Sequence, residues 1–272
     1  ARLTLHLVRG LWIVSTRYNR LPTKARHREL QRWSRRLLTI LNVHVRHEGL
    51  PEPLPERCMI VLNHVSWLDI FAVYAVVPGV FVAKSEIARW PLVGTLVARV
   101  GTLFIERGSR AHVRRMNHNI AATMAAGEVV CVCPEGTTTS GRELKAFHAA
   151  LLQPALDAAG TVQPLALRYV DAAGAQTEIP AYVGEQSLLG SMWAIASARR
   201  LGVELLFADA VPAVAGHRRE LARECEDAIA RRLGVAPPHK ASGRAADPPD
   251  ASPSAPRPTH SPYPAPEDQA VS

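Results

Sequence analysis

Cysteine is scarce in this sequence. Cys58, Cys131, Cys133 and Cys225 are the only four, too few for a disulfide scaffold, and no two of them form a C-x-x-C pair. The usual zinc signature is therefore missing, and the chain reads as reduced and cytosol-facing. Aromatic residues make up only 6%. No apolar run reaches the roughly 20 residues that a spanning helix needs. No G-x-S-x-G elbow occurs, which disfavours a serine hydrolase. What the chain does have is apolar material, 47% of 272 residues, enough for one large domain or two small ones with a full core.

Acidic side chains are nearly missing from the front of the chain. Residues 1–40 hold ten basic side chains and one acid, Glu29, a local +9 against a total of +8. The remainder is close to neutral. Leu3, Leu5, Leu7, Val8, Leu11, Trp12, Ile13 and Val14 share this segment, interrupted by Arg2, His6 and Arg9. No small-residue cleavage site follows, which argues against a secretory signal. Apolar residues, interfacial aromatics and arginine together suit an amphipathic helix lying on an anionic membrane surface, the reading favoured here. A transit peptide, a nucleic-acid arm and an amphipathic helix packed on its own domain would share the same composition. The chain opens on Ala1 rather than Met, which leaves room for residues upstream.

Along the chain, β-rich runs alternate with helical ones. The pattern predicts a helix over residues 21–41 and strands at 43–46, 59–62, 80–83, 102–105, 129–133, 164–169 and 203–207. Helices are expected at 67–76, 110–126, 144–158, 188–199 and 218–233, with Ser109 as N-cap of the second. Such alternation predicts an α/β fold with a largely parallel central sheet flanked by helices. From residue 235 the pattern stops, and ten of the 21 prolines fall in this last stretch. The expected division is thus a basic amphipathic segment (1–40), an α/β domain (41–234) and a disordered Pro-rich tail (235–272).

Three polar clusters follow three apolar strands. In the first, Asn63 to Asp69, a continuous helix would set His64 and Asp69 about 140° apart. If they act together, His64 must sit in the turn before the helix. With Ser66 as N-cap, Asp69 falls at N3 and is placed to accept from His64 Nδ1, leaving Nε2 as a base. Ser66-x-x-Asp69 is equally a capping box with no chemistry. The second cluster ends in Glu106-Arg107 and the third is Pro134-Glu135-Gly136-Thr137. In an open α/β sheet, ligands bind beyond the carboxyl ends of strands, so the three are expected to share one crevice.

The ordered clusters resemble the motifs of the lysophospholipid acyltransferases of the glycerolipid pathway. N-H-x-x-x-x-D matches Asn63, His64 and Asp69; G-x-x-F-I-x-R matches Gly101, Phe104, Ile105 and Arg107; P-E-G-T matches Pro134 to Thr137. Val162 to Leu167 resembles the family's fourth motif, an apolar strand with a proline. The stretch Lys84-Ser85-Glu86 and Trp90 to Gly94 resembles a segment these enzymes carry between the first two motifs. The resemblance implies transfer of a fatty acyl group from acyl-CoA or acyl carrier protein to a lysolipid hydroxyl, with no bound cofactor and no metal. It makes His64 the base and Asp69 its partner, and assigns Arg107, Glu135, Gly136, Thr137, Thr138 and Lys84 to substrate binding. It also implies a peripheral or monotopic protein on the cytoplasmic face of the cell membrane.

One departure concerns the acceptor. Enzymes acting on lysophosphatidic acid usually continue the third motif with arginine, where this chain has Thr138. Losing that guanidinium removes a bidentate phosphate ligand, and the Thr-rich version resembles the branch that acylates lyso-ornithine lipid. The expected acceptor is 1-acylglycerol-3-phosphate, giving phosphatidic acid, with lyso-ornithine lipid as the alternative. A non-catalytic membrane lipid-binding protein is the rival from another class; nothing outside the basic arm supports nucleic acid. Cys131 and Cys133 are expected as core thiols, and residues 182–193 as core packing in preference to the wall of an acyl tunnel.

Overall fold

The computed structural model describes residues 2–90, 93–105, 110–214 and 217–241. Helices α1 (Arg2–Thr16) and α2 (Thr23–Ile40) open the chain. The strands are β1 (Val43–Glu48), β2 (Cys58–Leu62), β3 (Val80–Lys84), β4 (Leu103–Ile105), β5 (Val130–Val132), β6 (Thr161–Val170), β7 (Leu201–Phe207) and β8 (Val211–Pro212). Between and after them lie α3 (Asp69–Val76), α4 (Val93–Arg99), α5 (Arg110–Ala125), α6 (Gln153–Asp157), α7 (Leu188–Ser197), α8 (Arg218–Leu233) and α9 (Pro238–Ala241).

All eight strands join one sheet in the order β1-β7-β6-β2-β5-β3-β4, with β8 paired to β6. Pairing is parallel except where β6 meets β7 and β8. β2 lies between β5 and β6 and is buried over its whole length, because both its faces are covered. On one face Ile60, Leu62, Leu165 and Leu167 pack under Leu30, Leu37 and Leu38 of α2, Ala72 and Val73 of α3, and Ile195 of α7. On the other, Met59, Val61 and Val162 pack under Ile120 and Met124 of α5 and Cys225 and Ile229 of α8. Each such large apolar side chain stabilises the fold by about 1.5–3 kcal/mol relative to exposure.

Three expectations change. The basic front segment is two helices, and the second is built into the core. α1 reaches it through Leu3 and through Gly10, where a Cβ would lie 2.6 Å from Trp33 Nε1. The helix expected over 144–158 is reduced to a 3-10 turn (Ala149–Leu152) followed by α6. Residues 144–148 run instead as a loop strapped to the domain: Lys145 N–H donates to Glu135 (2.9 Å), Phe147 N–H to Glu226 (2.6 Å) and His148 N–H to the Pro134 carbonyl (2.9 Å). Past residue 235, α9 forms and His239 Nδ1 comes 3.5 Å from Glu226. The rest of the expected tail, and the Ser109 cap, lie outside the described residues.

Candidate active site

β2 carries Asn63 and His64 out of the sheet at its carboxyl end. Asn63 is fully buried and bridges to β6 twice, donating to the Leu167 carbonyl (2.9 Å) and accepting from Leu167 N–H (2.7 Å). The side chain thereby extends the strand pairing by one step and fixes where His64 begins. The His64 carbonyl accepts from Thr139 N–H at 2.8 Å, and its N–H donates to Glu135 Oε1 at 2.6 Å.

His64 Nδ1 lies 2.8 Å from Asp69 Oδ2. A carboxylate only accepts, so Nδ1 carries the proton and the lone pair of the neutral ring is on Nε2. The same Asp69 oxygen accepts from Val65 N–H (2.8 Å) and Ser66 N–H (2.9 Å), while Ser66 Oγ accepts from Leu68 N–H (3.3 Å). The two readings of this segment are therefore both realised: one carboxylate closes the turn and holds the imidazole. Regular helix starts only at Asp69, so Ser66 caps the entry turn. Tyr169 on β6 donates its hydroxyl to the other oxygen, Oδ1, at 2.7 Å. Burial and the neighbouring Asp69 charge push the Tyr169 phenol well up, keeping it a donor.

Asp69 is entirely buried, whereas 23% of the His64 side chain is exposed. The carboxylate is shielded and the imidazole reaches the surface. Cys133, expected as a core thiol, packs half-buried at the edge of the core cluster, close enough to His64 to act on its ring. Burial alone would lower the His64 pKa; Cys133 and Asp69 outweigh it and hold it well above its ordinary 6.5. If the neutral ring serves as a base, kcat/KM should rise with pH through a midpoint above 6.5. Cys133→Ala should move that rise to lower pH, and an unchanged profile would contradict the contact. The contribution of His64 to folding stability is full below 6.5 and is lost as pH climbs through its raised folded pKa.

Glu135 is buried, and its second oxygen accepts from Lys145 N–H at 2.9 Å. Burial pushes its carboxyl up to about 7 despite the opposing pull of the Lys145 and His64 N–H groups. Both oxygens face backbone donors, so Glu135 braces the His64 segment. Gly136 follows in a left-handed conformation (φ +68°), where a Cβ would stand 2.9 Å from the His148 ring. Thr137 is exposed, and Thr138 donates its hydroxyl to the Tyr182 carbonyl. Lys84 is exposed at the end of β3, in register with Ile105. Arg107 lies outside the described residues. Sequence reasoning missed Tyr169 and Thr139; the signal for Tyr169 was its position on the strand carrying the fourth motif.

No three His, Cys, Asp or Glu side chains converge as metal ligands among the described residues. No described helix is long and apolar enough to cross a membrane.

A family model described as Acyltransferase matches residues 42–168. A 1-acyl-sn-glycerol-3-phosphate acyltransferase from Neisseria meningitidis serogroup B is 38% identical over 185 residues, 68% of this chain and 72% of that protein. A lyso-ornithine lipid O-acyltransferase from Pseudomonas aeruginosa is 36% identical over 218 residues, 79% and 83% of the two chains. The crystal structure of the 1-acyl-sn-glycerophosphate acyltransferase PlsC from Thermotoga maritima superposes with a TM-score of 0.61 at 20% identity, covering 90% of this chain and 97% of that one.

Proposed function

The chain belongs to the acyltransferase family, and from that premise we propose that it transfers a fatty acyl group from an acyl thioester to the hydroxyl of a lysolipid. The observation that carries the reading is the His64–Asp69 pair, its inner nitrogen fixed by a buried carboxylate and its outer nitrogen at the surface. The acceptor oxygen attacks the thioester carbonyl and its proton passes to His64 Nε2. Collapse of the tetrahedral adduct expels the donor thiol, which takes the proton from the imidazolium. Asp69 holds the ring and offsets its transient positive charge. The donor is acyl-CoA or acyl carrier protein, and no bound cofactor enters the scheme.

The acceptor proposed is 1-acylglycerol-3-phosphate, giving phosphatidic acid. Arg107 is its anion contact, helped by Lys84 at the end of the adjoining strand; Glu135, Gly136, Thr137 and Thr138 shape the acceptor end of the site. A purified protein should acylate members of a lysolipid panel with one of the two donors, read by mass spectrometry. No product with any acceptor would leave a non-catalytic lipid-binding protein.

Thr138 favours a second reading, lyso-ornithine lipid as acceptor. Its hydroxyl is already given to the Tyr182 carbonyl, so it brings no charge and no free proton to a phosphate. Charge-assisted hydrogen bonds are roughly twice as strong as neutral ones. Thr138→Arg should therefore raise kcat/KM for lysophosphatidic acid relative to lyso-ornithine lipid. If the wild type already prefers the phosphate strongly and the ratio does not move, Thr138 does not report the acceptor.

We place the protein peripherally or monotopically on the cytoplasmic face of the cell membrane, with α1 as the contact. Leu5, Val8 and Trp12 are 72%, 57% and 59% exposed, while Ile13 and Val14 on the other side pack toward Leu96 and Val100. Exposed Arg2 and Arg9 flank the apolar face, and each basic residue near an anionic leaflet contributes about 1 kcal/mol. Deleting residues 1–40 would remove core leucines of α2, so substitution is the cleaner test. Leu5→Ser with Trp12→Ser should weaken binding to anionic vesicles, and unchanged binding would move the contact elsewhere.

A further inference from the structure

Helix α7 presents to solvent the kind of surface a helix normally buries. Leu189 and Trp193, four residues apart, are 78% and 76% exposed, against the expectation that this stretch is core. Ala196 continues the same exposed stripe. The opposite side carries Ser191 and Ile195, both fully buried, so the helix is firmly seated with its apolar outer side uncovered. α7 contains no charged residue, and exposed Arg199 and Arg200 follow its carboxyl end.

We propose that α7 is a second bilayer contact, separate from α1, in which Leu189 and Trp193 enter the acyl-chain boundary of an anionic lipid surface while Arg199 and Arg200 meet its head groups. An apolar stripe with an indole and adjoining cations matches such a surface in polarity and charge. It matches a second copy of this chain poorly, since the same helical layer carries the strongly basic α1 and α2. That layer is shared: Leu3, Trp33 and Ile195 all pack on the core cluster on one face of the sheet.

The helix is also tied to the catalytic turn. Trp67, three residues after His64, donates its indole N–H to Ser191 Oγ at 3.0 Å. Tyr182 N–H donates to the Val65 carbonyl at 2.9 Å. The contacts continue from Trp67 to Phe71, from Phe71 to Trp33 of α2, and from Trp33 to His6 of α1, each pair with ring centroids within 6.0 Å. Seated in lipid, α7 holds the His64 turn close to the depth at which an amphiphile's hydroxyl lies, so the acceptor reaches the base without leaving the bilayer. This consequence rests on the lysolipid reading; the bilayer contact does not.

The test compares full-length wild type with Leu189→Ser/Trp193→Ser, using vesicles of phosphatidylglycerol and phosphatidylethanolamine and vesicles of phosphatidylcholine alone. The double variant should bind the anionic vesicles about tenfold more weakly. It should acylate vesicle-embedded lysolipid more slowly, and a monodisperse short-chain lysolipid within about twofold of wild type. Trp193→Phe should keep binding but lose part of the tryptophan emission that acyl-chain-brominated lipids quench; this readout holds even if the double variant fails to fold. Undiminished vesicle binding by a folded double variant, or quenching unchanged in Trp193→Phe, overturns the proposal. So does a wild type that elutes as a dimer which the double variant dissociates, since a second copy would then cover the stripe. A wild type inactive on every lysolipid, yet dependent on Leu189 and Trp193 for vesicle binding, overturns the lysolipid reading and supports the contact.

Discussion

Replacing His64 with alanine is expected to lower turnover by roughly 10²–10⁴ with the protein still folded. The side chain is partly exposed, and the bonds that fix its segment run through its backbone to Glu135 and Thr139. Truncation at Cβ therefore removes the base and leaves the turn in place. Asp69 keeps its bonds to Val65 N–H, Ser66 N–H and Tyr169, losing only the imidazole. Circular dichroism and a denaturation midpoint check the fold, and steady-state rates check the base. A folded His64→Ala protein of near-normal activity would remove the proposed mechanism and leave the turn-closing role of Asp69 as its only one.

The second large effect lies at Asp69 and differs between two substitutions. Asp69→Ala strands the His64 Nδ1 proton and the Val65 and Ser66 N–H groups, of which Val65 and Ser66 are buried. Each unsatisfied buried donor costs about 1–3 kcal/mol, a sum large enough to unfold a marginal domain. Asp69→Asn has a gentler outcome. Its carbonyl can take the place of Oδ2 and its amide can face Tyr169, whose hydroxyl turns from donor to acceptor. Tautomer and turn both survive, and the lost quantity is the negative charge beside the imidazolium. A hydrogen bond to a charged group is worth about 1.5–3 kcal/mol, so kcat/KM should fall on the order of 10²-fold in a folded protein. Chemical denaturation and rates together separate the two variants. An Asn variant as active as wild type, or an Ala variant as stable, would contradict this account.

Much of this was legible before any coordinates. The β-rich runs at 43–46, 59–62, 80–83, 102–105 and 203–207 all became strands: β2 is a continuous apolar run because both its faces are buried, whereas β7 alternates because only one face is. The N-H-x-x-x-x-D spacing required His64 to stand in the turn before the helix, and it does. What escaped the sequence is what depends on distant partners. The apolar spacing over 144–158 reads as helix, but residues 144–148 run as a loop strapped to the distant Glu135 and Glu226. Cys133 sits on the alternation of a strand end, and only the pairing of β5 with β2 brings it near His64. Tyr169 looks like one more core aromatic until β6 is laid against β2. Leu189 and Trp193 carry a core-like pattern whose buried side is small: serine and alanine, with one isoleucine, face inward or flank the seat.

The partners of the first motif also set an order of assembly. Asn63 is held by Leu167 and Asp69 by Tyr169, contacts spanning 104 and 100 residues of chain. During synthesis, a nascent chain that has emerged only through Thr139 contains His64, Asp69 and Glu135 and still lacks the strand on which two of those clamps close. β1 waits longer, since its pairing partner begins at Leu201. At about 5–20 residues per second, the basic helices leave the ribosome several seconds before the sheet can be completed. If α1 is the bilayer contact proposed above, it is on offer to a membrane while the His64 site is still unassembled, and adsorption then precedes catalytic competence.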